Sequence, residues 1–286
     1  MKIEQHCKAI FSYSQAKPFK EILHDIFTFV GFITLCTYEQ SYPIEIVFYD
    51  DRIKNEFVSK SLQREIPQAV KCIYQNSYYR PEYKIRKVHE HLVKYEKISE
   101  CFSDIITSWF IQSKELEQVT QLLLRSFINK NDFSIEKFMD VVRAIENFHR
   151  QSHNNEVISK ENVQLIKDKI DASDLSNEHK TLVKEKMNFA YEPSLKQRLE
   201  EMIGLYTFPY FDERVRDKDS FIKKAKDSRN YYTHFDKSLE KKSLEGKDLF
   251  DLTENLKLIL FSAIFKRMAV PVDAYDESVR YLIYSS

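Results

Sequence analysis

Arg229, Asn230 and His234 fall within the stretch Arg-Asn-Tyr-Tyr-Thr-His, which carries the groups that cleaving RNA without a metal requires. A histidine titrates near neutrality and can move a proton. An arginine fork can clamp a phosphate and the charge that develops on it. On an α-helix Asn230 and His234 are four residues apart and share a face, as do Arg229 and Thr233. Arg229 and His234 are five apart and diverge by about 140°. To serve one phosphate, the arginine must reach around, the helix must begin locally at the motif, or a second subunit must complete the site.

Spacing alone does not single out this stretch. Arg86 and His91 have the same separation, and Arg143 and His149 are one residue further apart. Only Arg229 is followed by Asn, and only it is preceded by a basic run, Phe221-Ile-Lys-Lys-Ala-Lys226, in which Lys223 and Lys226 are candidate RNA contacts. In that context residues 229–235 resemble the signature of HEPN domains: Arg, a polar residue, three to five further residues and His. The similarity is to the Apea-like branch. Val142–Arg150, containing Glu146 and Arg150, resembles that branch's apolar-Glu-x-x-x-Arg helix. Ile106–Phe110, containing Trp109, resembles the Trp-Phe pair on its opening helix. The resemblance spans roughly residues 90 to 285.

What the resemblance implies is a HEPN helical bundle, an endoribonuclease acting as a homodimer with a shared cleft, and a setting in antiviral abortive-infection defence. It also implies a β-rich region before the bundle, of which only the tail is expected here, as in a short family member or a truncated chain. His234 would take the 2′-hydroxyl proton or protonate the leaving 5′-oxygen. Arg229 would stabilise the pentavalent phosphate, and Asn230 would fix the helix start or orient the histidine. One histidine cannot easily act on both sides of the phosphorus, whereas a symmetric dimer supplies two. Glu146 and Arg150, four apart, form either a helix-surface ion pair or a pair that orients Arg229 or His234. Tyr231 and Tyr232 pack, or stack on an unpaired base. The competing readings are a surface or capping histidine at position 234, and a noncatalytic module that binds RNA or a partner protein. No cofactor or metal is expected, since His89 and His91, two apart, point away from each other on a helix.

The elements that position these residues follow from composition and period. With 3 glycines in 286 residues, tight hairpins and phosphate-cradling loops have little room, which favours long helices. Hydrophobic residues at 43% and charged residues at 31% fit a folded chain. The 44 basic and 44 acidic residues balance, which counts against a high-affinity nonspecific nucleic-acid binder but allows a local basic patch. Cys7, Cys36, Cys72 and Cys101 form no C-x-x-C pair, so isolated thiols in a reducing cytoplasm are expected rather than zinc or disulfides. The N-terminus lacks a signal-peptide apolar region. The apolar run Ile26–Cys36 is too short to span a bilayer, so no membrane association is expected.

The fold class predicted is mainly α, with a small mixed α/β N-terminal segment at 1–87 and the helical domain at 88–286. Residues 26–38 read as helix, with strand as the alternative. Residues 42–50 read as a strand with Ile44, Ile46 and Phe48 on one face. Residues 51–87, which include Pro67 and Pro81, read as short strands and loops. A long helix runs from about His89 through Trp109, and a second from Leu116 to Ile128. A third, from Ile135 to Arg150, presents a core stripe of Phe138, Val141, Val142, Ile145 and His149. Further helices are placed at 159–171, 176–190 and 195–205. The motif helix covers about 214–232 or restarts at the motif. Leu249–Met268 forms a closing apolar helix, followed by a short one.

Overall fold

The structure is a computed structural model that describes residues 8–73, 90–128, 134–188 and 190–284. Pro18, with its fixed φ, leads into helix α1 (Phe19–Thr37). The apolar run is therefore helical, and its Phe32, Leu35 and Cys36 are buried. Strands β1 (Ile46–Lys54) and, after an intervening helix, β2 (Pro67–Cys72) pair antiparallel, with Ile46 opposite Cys72 and Phe48 opposite Val70. The intervening helix, α2 (Glu56–Leu62), stands where strands and loops were expected. The Asn55 side chain caps it by accepting from the Val58 N–H. None of its residues is buried, so no apolar period marks it in the sequence. The expected apolar strand face is also incomplete, because Ile44 lies ahead of β1 and is exposed.

Beyond residue 90, among the described residues, the chain is helical. The expected first long helix is interrupted: α3 (Tyr95–Ile98) passes through a 3₁₀ turn at Ser99–Cys101 into α4 (Phe102–Glu115). Helix α5 (Glu117–Arg125) follows directly. The Ser134 hydroxyl accepts from the Lys137 N–H to start α6 (Ile135–Ser152), whose predicted stripe is buried throughout. Helices α7 (Lys160–Asp171) and α8 (Asn177–Lys186) form a hairpin in which Val163 is buried while Leu165 and Leu182 stay exposed. A reciprocal Ser194–Gln197 capping box opens α9 (Leu195–Tyr206), and Pro209 occupies the first turn of α10 (Pro209–Arg214). Helix α11 (Lys218–His234) carries the motif. Helix α12 (Gly246–Arg267) runs through the centre and is buried at every position from Leu256 to Phe265, and α13 (Asp276–Tyr284) closes the fold.

The core is one cluster packed around α6, α9 and α12. Its central helix carries a lysine, Lys257, that is 1% exposed. Such a charge must be paired to be tolerated. Lys257 Nζ donates to Glu254 Oε1 at 2.8 Å, Tyr38 Oη donates to Glu254 Oε2 at 2.5 Å, and the ammonium lies 4.7 Å from the Phe127 ring centroid. Helix α1 shares this core. Trp109 Nε1 donates to the Thr28 carbonyl at 2.7 Å, and a Cβ at Gly31 would sit 3.1 Å from Leu124 and 3.3 Å from Trp109, so glycine permits that approach. The chain is thus mainly helical with a small antiparallel sheet near its N-terminus, as predicted. The 87/88 boundary lies outside the described residues. Among those described, no helix is long and apolar enough to cross a membrane.

Candidate active site

Asp217 caps α11 by accepting from the Ser220 N–H, and Phe221, Ile222 and Ala225 bury its inner face. Two hydrogen bonds then fold the following segment back against the last turns. The Leu244 N–H donates to Ser228 Oγ at 2.9 Å, and Tyr232 Oη donates to the Leu244 carbonyl at 2.7 Å. The Tyr232 ring packs edge-on to Phe138 of α6. The motif is therefore clamped to the bundle from both sides. Its helix is continuous to His234 and ends where Phe235 turns left-handed, φ 51°.

That continuity corrects one expectation. No helix begins at Asn230, so it cannot fix a helix start. Its Oδ1 instead accepts from Arg229 Nη1 at 3.3 Å. Arg229 Nη2 donates to Glu146 Oε1 at 3.1 Å, joining α11 to α6 across 83 positions of sequence. The arginine is thus held on two sides while 30% of its side chain stays exposed. His234 is exposed on the last turn. Asp236, just beyond, has its carboxyl held below the usual range by hydrogen bonds from Ser238, with Lys242 and His234 adding to the effect.

Glu146 and Arg150 do not pair as a simple surface couple. Arg150 Nη2 donates to Glu192 Oε2 at 3.1 Å, and the same oxygen receives Arg198 Nη2 at 3.4 Å. Arg198, 2% exposed, also donates to the Pro193 carbonyl and to His149 Nδ1 at 2.9 Å. A guanidinium only donates, so Nδ1 accepts and the His149 Nε2–H donates to Glu201 at 2.7 Å. Burial pushes the His149 pKa down; Glu201 opposes this and Arg198 reinforces it. His149 stacks on His153 at 4.8 Å. Glu192, Arg198 and Glu201 were not found by sequence reasoning, although an arginine in step with Leu195, Leu199 and Met202 on a core face was a usable signal.

Lys223 is exposed, and Lys226 lies 3.5 Å from Asp227. At seven- and four-residue spacing Lys223, Asn230 and His234 share one face of α11, with Lys226 beside them. Tyr231 is half-buried and rests on Tyr232 and Phe235. The decoy pairs behave differently. Arg86 and His89 lie outside the described residues, and His91 is half-buried. Arg143 faces solvent beside Asp140 while His149 is in the core. Among the described residues no three His, Cys, Asp or Glu side chains gather as a metal site.

Against protein-family models, residues 139–274 match Apea-like HEPN and residues 1–109 match ApeA N-terminal domain 1. The second match extends past the boundary expected near residue 87 and ends at Trp109. No curated protein and no solved structure matches the chain.

Proposed function

The chain belongs to the Apea-like HEPN family, and on that basis we propose that it is a metal-independent endoribonuclease of antiviral abortive-infection defence. The observation that carries this reading is the division of roles at the end of α11. Arg229 is fixed by Glu146 at 3.1 Å, while His234 stands exposed on the same final turns. A held guanidinium suits a charge that appears at a fixed place. An exposed imidazole suits a proton carrier.

The C-terminal end of a helix presents carbonyls, so backbone dipoles give no help to a bound phosphate there. Neutralisation falls to side chains: Arg229, with Arg150, Lys223 and Lys226 contacting the flanking backbone. The imidazole of one His234 removes the proton from the ribose 2′-hydroxyl. The 2′-oxygen attacks phosphorus, the bond from phosphorus to the 5′-oxygen breaks, and that oxygen takes a proton. The products are a 2′,3′-cyclic phosphate and a 5′-hydroxyl. Because the two proton transfers occur on opposite sides, the acid that protonates the 5′-oxygen is the imidazolium of His234 of another copy in a homodimer. Asn230, held against Arg229, lines the same face.

The test is purified protein with total RNA in chelator, next to His234→Ala. Cleavage that survives chelation, leaves cyclic phosphate ends and falls about 10²-fold or more in His234→Ala supports the enzyme. Cleavage unchanged in a folded His234→Ala protein, or strictly dependent on added metal, would leave the noncatalytic module that binds RNA or a partner protein.

A further inference from the structure

Phe235 is out of place by two local rules. As the residue after a helix end with φ 51°, it occupies the left-handed position where glycine or asparagine is the usual choice. A bulky side chain there is strained. Its ring is also 68% exposed. Tyr38 makes the same left-handed turn after α1 at φ 54°, but its ring is 2% exposed and its hydroxyl is bonded to Glu254, so burial offsets its strain. Gln63 and Ala269 also turn left-handed, but neither carries an aromatic ring; Phe235 has only the edge-on contact with Tyr231 to set against its strain. A strained aromatic whose ring stays largely exposed beside a candidate catalytic residue points to function.

The surroundings say what the ring could meet. Phe138, Tyr232, Tyr231 and Phe235 form a chain of edge-on aromatic contacts at 6.2, 5.1 and 5.8 Å that runs from the core to the surface next to His234. Phe235 is the exposed end of a braced series rather than a loose side chain. The segment that follows carries exposed Lys237, Lys241 and Lys242. The two acids among them are Asp236, occupied by Ser238, and the exposed Glu240. A flat apolar face among lysines, adjoining a histidine, matches a nucleobase with its flanking phosphates better than an apolar protein surface.

We propose that Phe235 is a stacking platform for one unpaired base of single-stranded RNA next to the phosphate at His234, with Lys237, Lys241 and Lys242 contacting the neighbouring backbone. The platform rests on the ribonuclease reading above and names where its substrate's base is held.

The experiment uses the full chain carrying His234→Ala, so that a fluorescein-labelled oligouridine RNA is bound without being cut. Phe235→Gly should weaken binding about tenfold. Its melting temperature should equal or exceed the parent's, because glycine relieves the left-handed residue. Phe235→Trp should keep the affinity. Its added indole should be quenched by the RNA, over a constant emission from Trp109, which burial shields from the RNA. Binding of Phe235→Gly within twofold of a parent that does bind sinks the platform and leaves the ribonuclease reading standing. Loss of a dimer in light scattering would make Phe235 a protein-interface residue and overturn the proposal. A drop in melting temperature would show a structural role and do the same. A parent that neither binds nor, with His234 restored, cleaves RNA removes both readings.

Discussion

Arg229 illustrates how one residue's role depends on a partner far away in sequence. A free arginine on a helix surface samples many rotamers, and ordering it opposes any use of its charge. Glu146 and Asn230 take two of its donors and leave the rest of the fork available. Glu146→Gln keeps the volume and loses the charge, so cleavage should fall about tenfold through kcat, since a hydrogen bond to a charged group contributes about 1.5–3 kcal/mol. An unchanged kcat would show that Glu146 does not position the arginine. Arg229→Lys should be as damaging as Arg229→Ala, because an ammonium cannot engage carboxylate and phosphate with one planar fork. The decoy substitution His91→Ala should leave cleavage intact in a folded protein. Equal loss at His91 and His234 would remove the special standing of the motif.

At the scale of elements, α6 serves the site through two faces. One turn presents Glu146 to α11, and the next places His149 against Arg198 and Glu201 of α9, with Arg150 reaching Glu192 ahead of it. Burial opposes the protonation of His149, and a proton on Nδ1 would also face the Arg198 guanidinium, so its pKa is lowered. The sign follows from linkage. Below about pH 6.5 the unfolded chain binds this proton and the folded chain resists it. The α6–α9 contribution is therefore complete above that pH and is lost as pH falls toward the lower folded value. Melting temperatures measured from pH 8 to 5 should decline more steeply for the wild type than for His149→Gln, which has no proton to take up. Parallel curves would place the titration elsewhere.

At the scale of the whole molecule, α1 is bound to the helical bundle by the Trp109 indole and the close approach at Gly31. Trp109→Ala should lower unfolding free energy by about 3–5 kcal/mol in urea titrations, as expected for a large aromatic lost from a tight core. A change below about 1 kcal/mol would mean that the α1 contact is peripheral. If two copies complete the site, specific activity should fall on dilution as light scattering passes from dimer to monomer mass. Constant specific activity across that transition would restrict the site to one chain.

Much of this protein is set locally and can be read from the sequence. Ser134 and Ser194 open the helices expected at 135–150 and 195–205 by satisfying backbone donors within a few residues, whereas α10, which Pro209 opens, was not among the expected helices. The apolar stripe of α6 fixes its buried face, and the Arg229–His234 stretch marks the candidate site because its members are adjacent. Helix α2 escaped because it buries nothing and so leaves no period to read. The tertiary structure alone decided that α11 continues through the motif, that Glu146 meets Arg229 rather than Arg150, and that His149 takes Arg198 as its neighbour. Periodicity tells which face of a helix turns inward. Which side chain waits there depends on how distant helices pack, and no spacing along the chain encodes that.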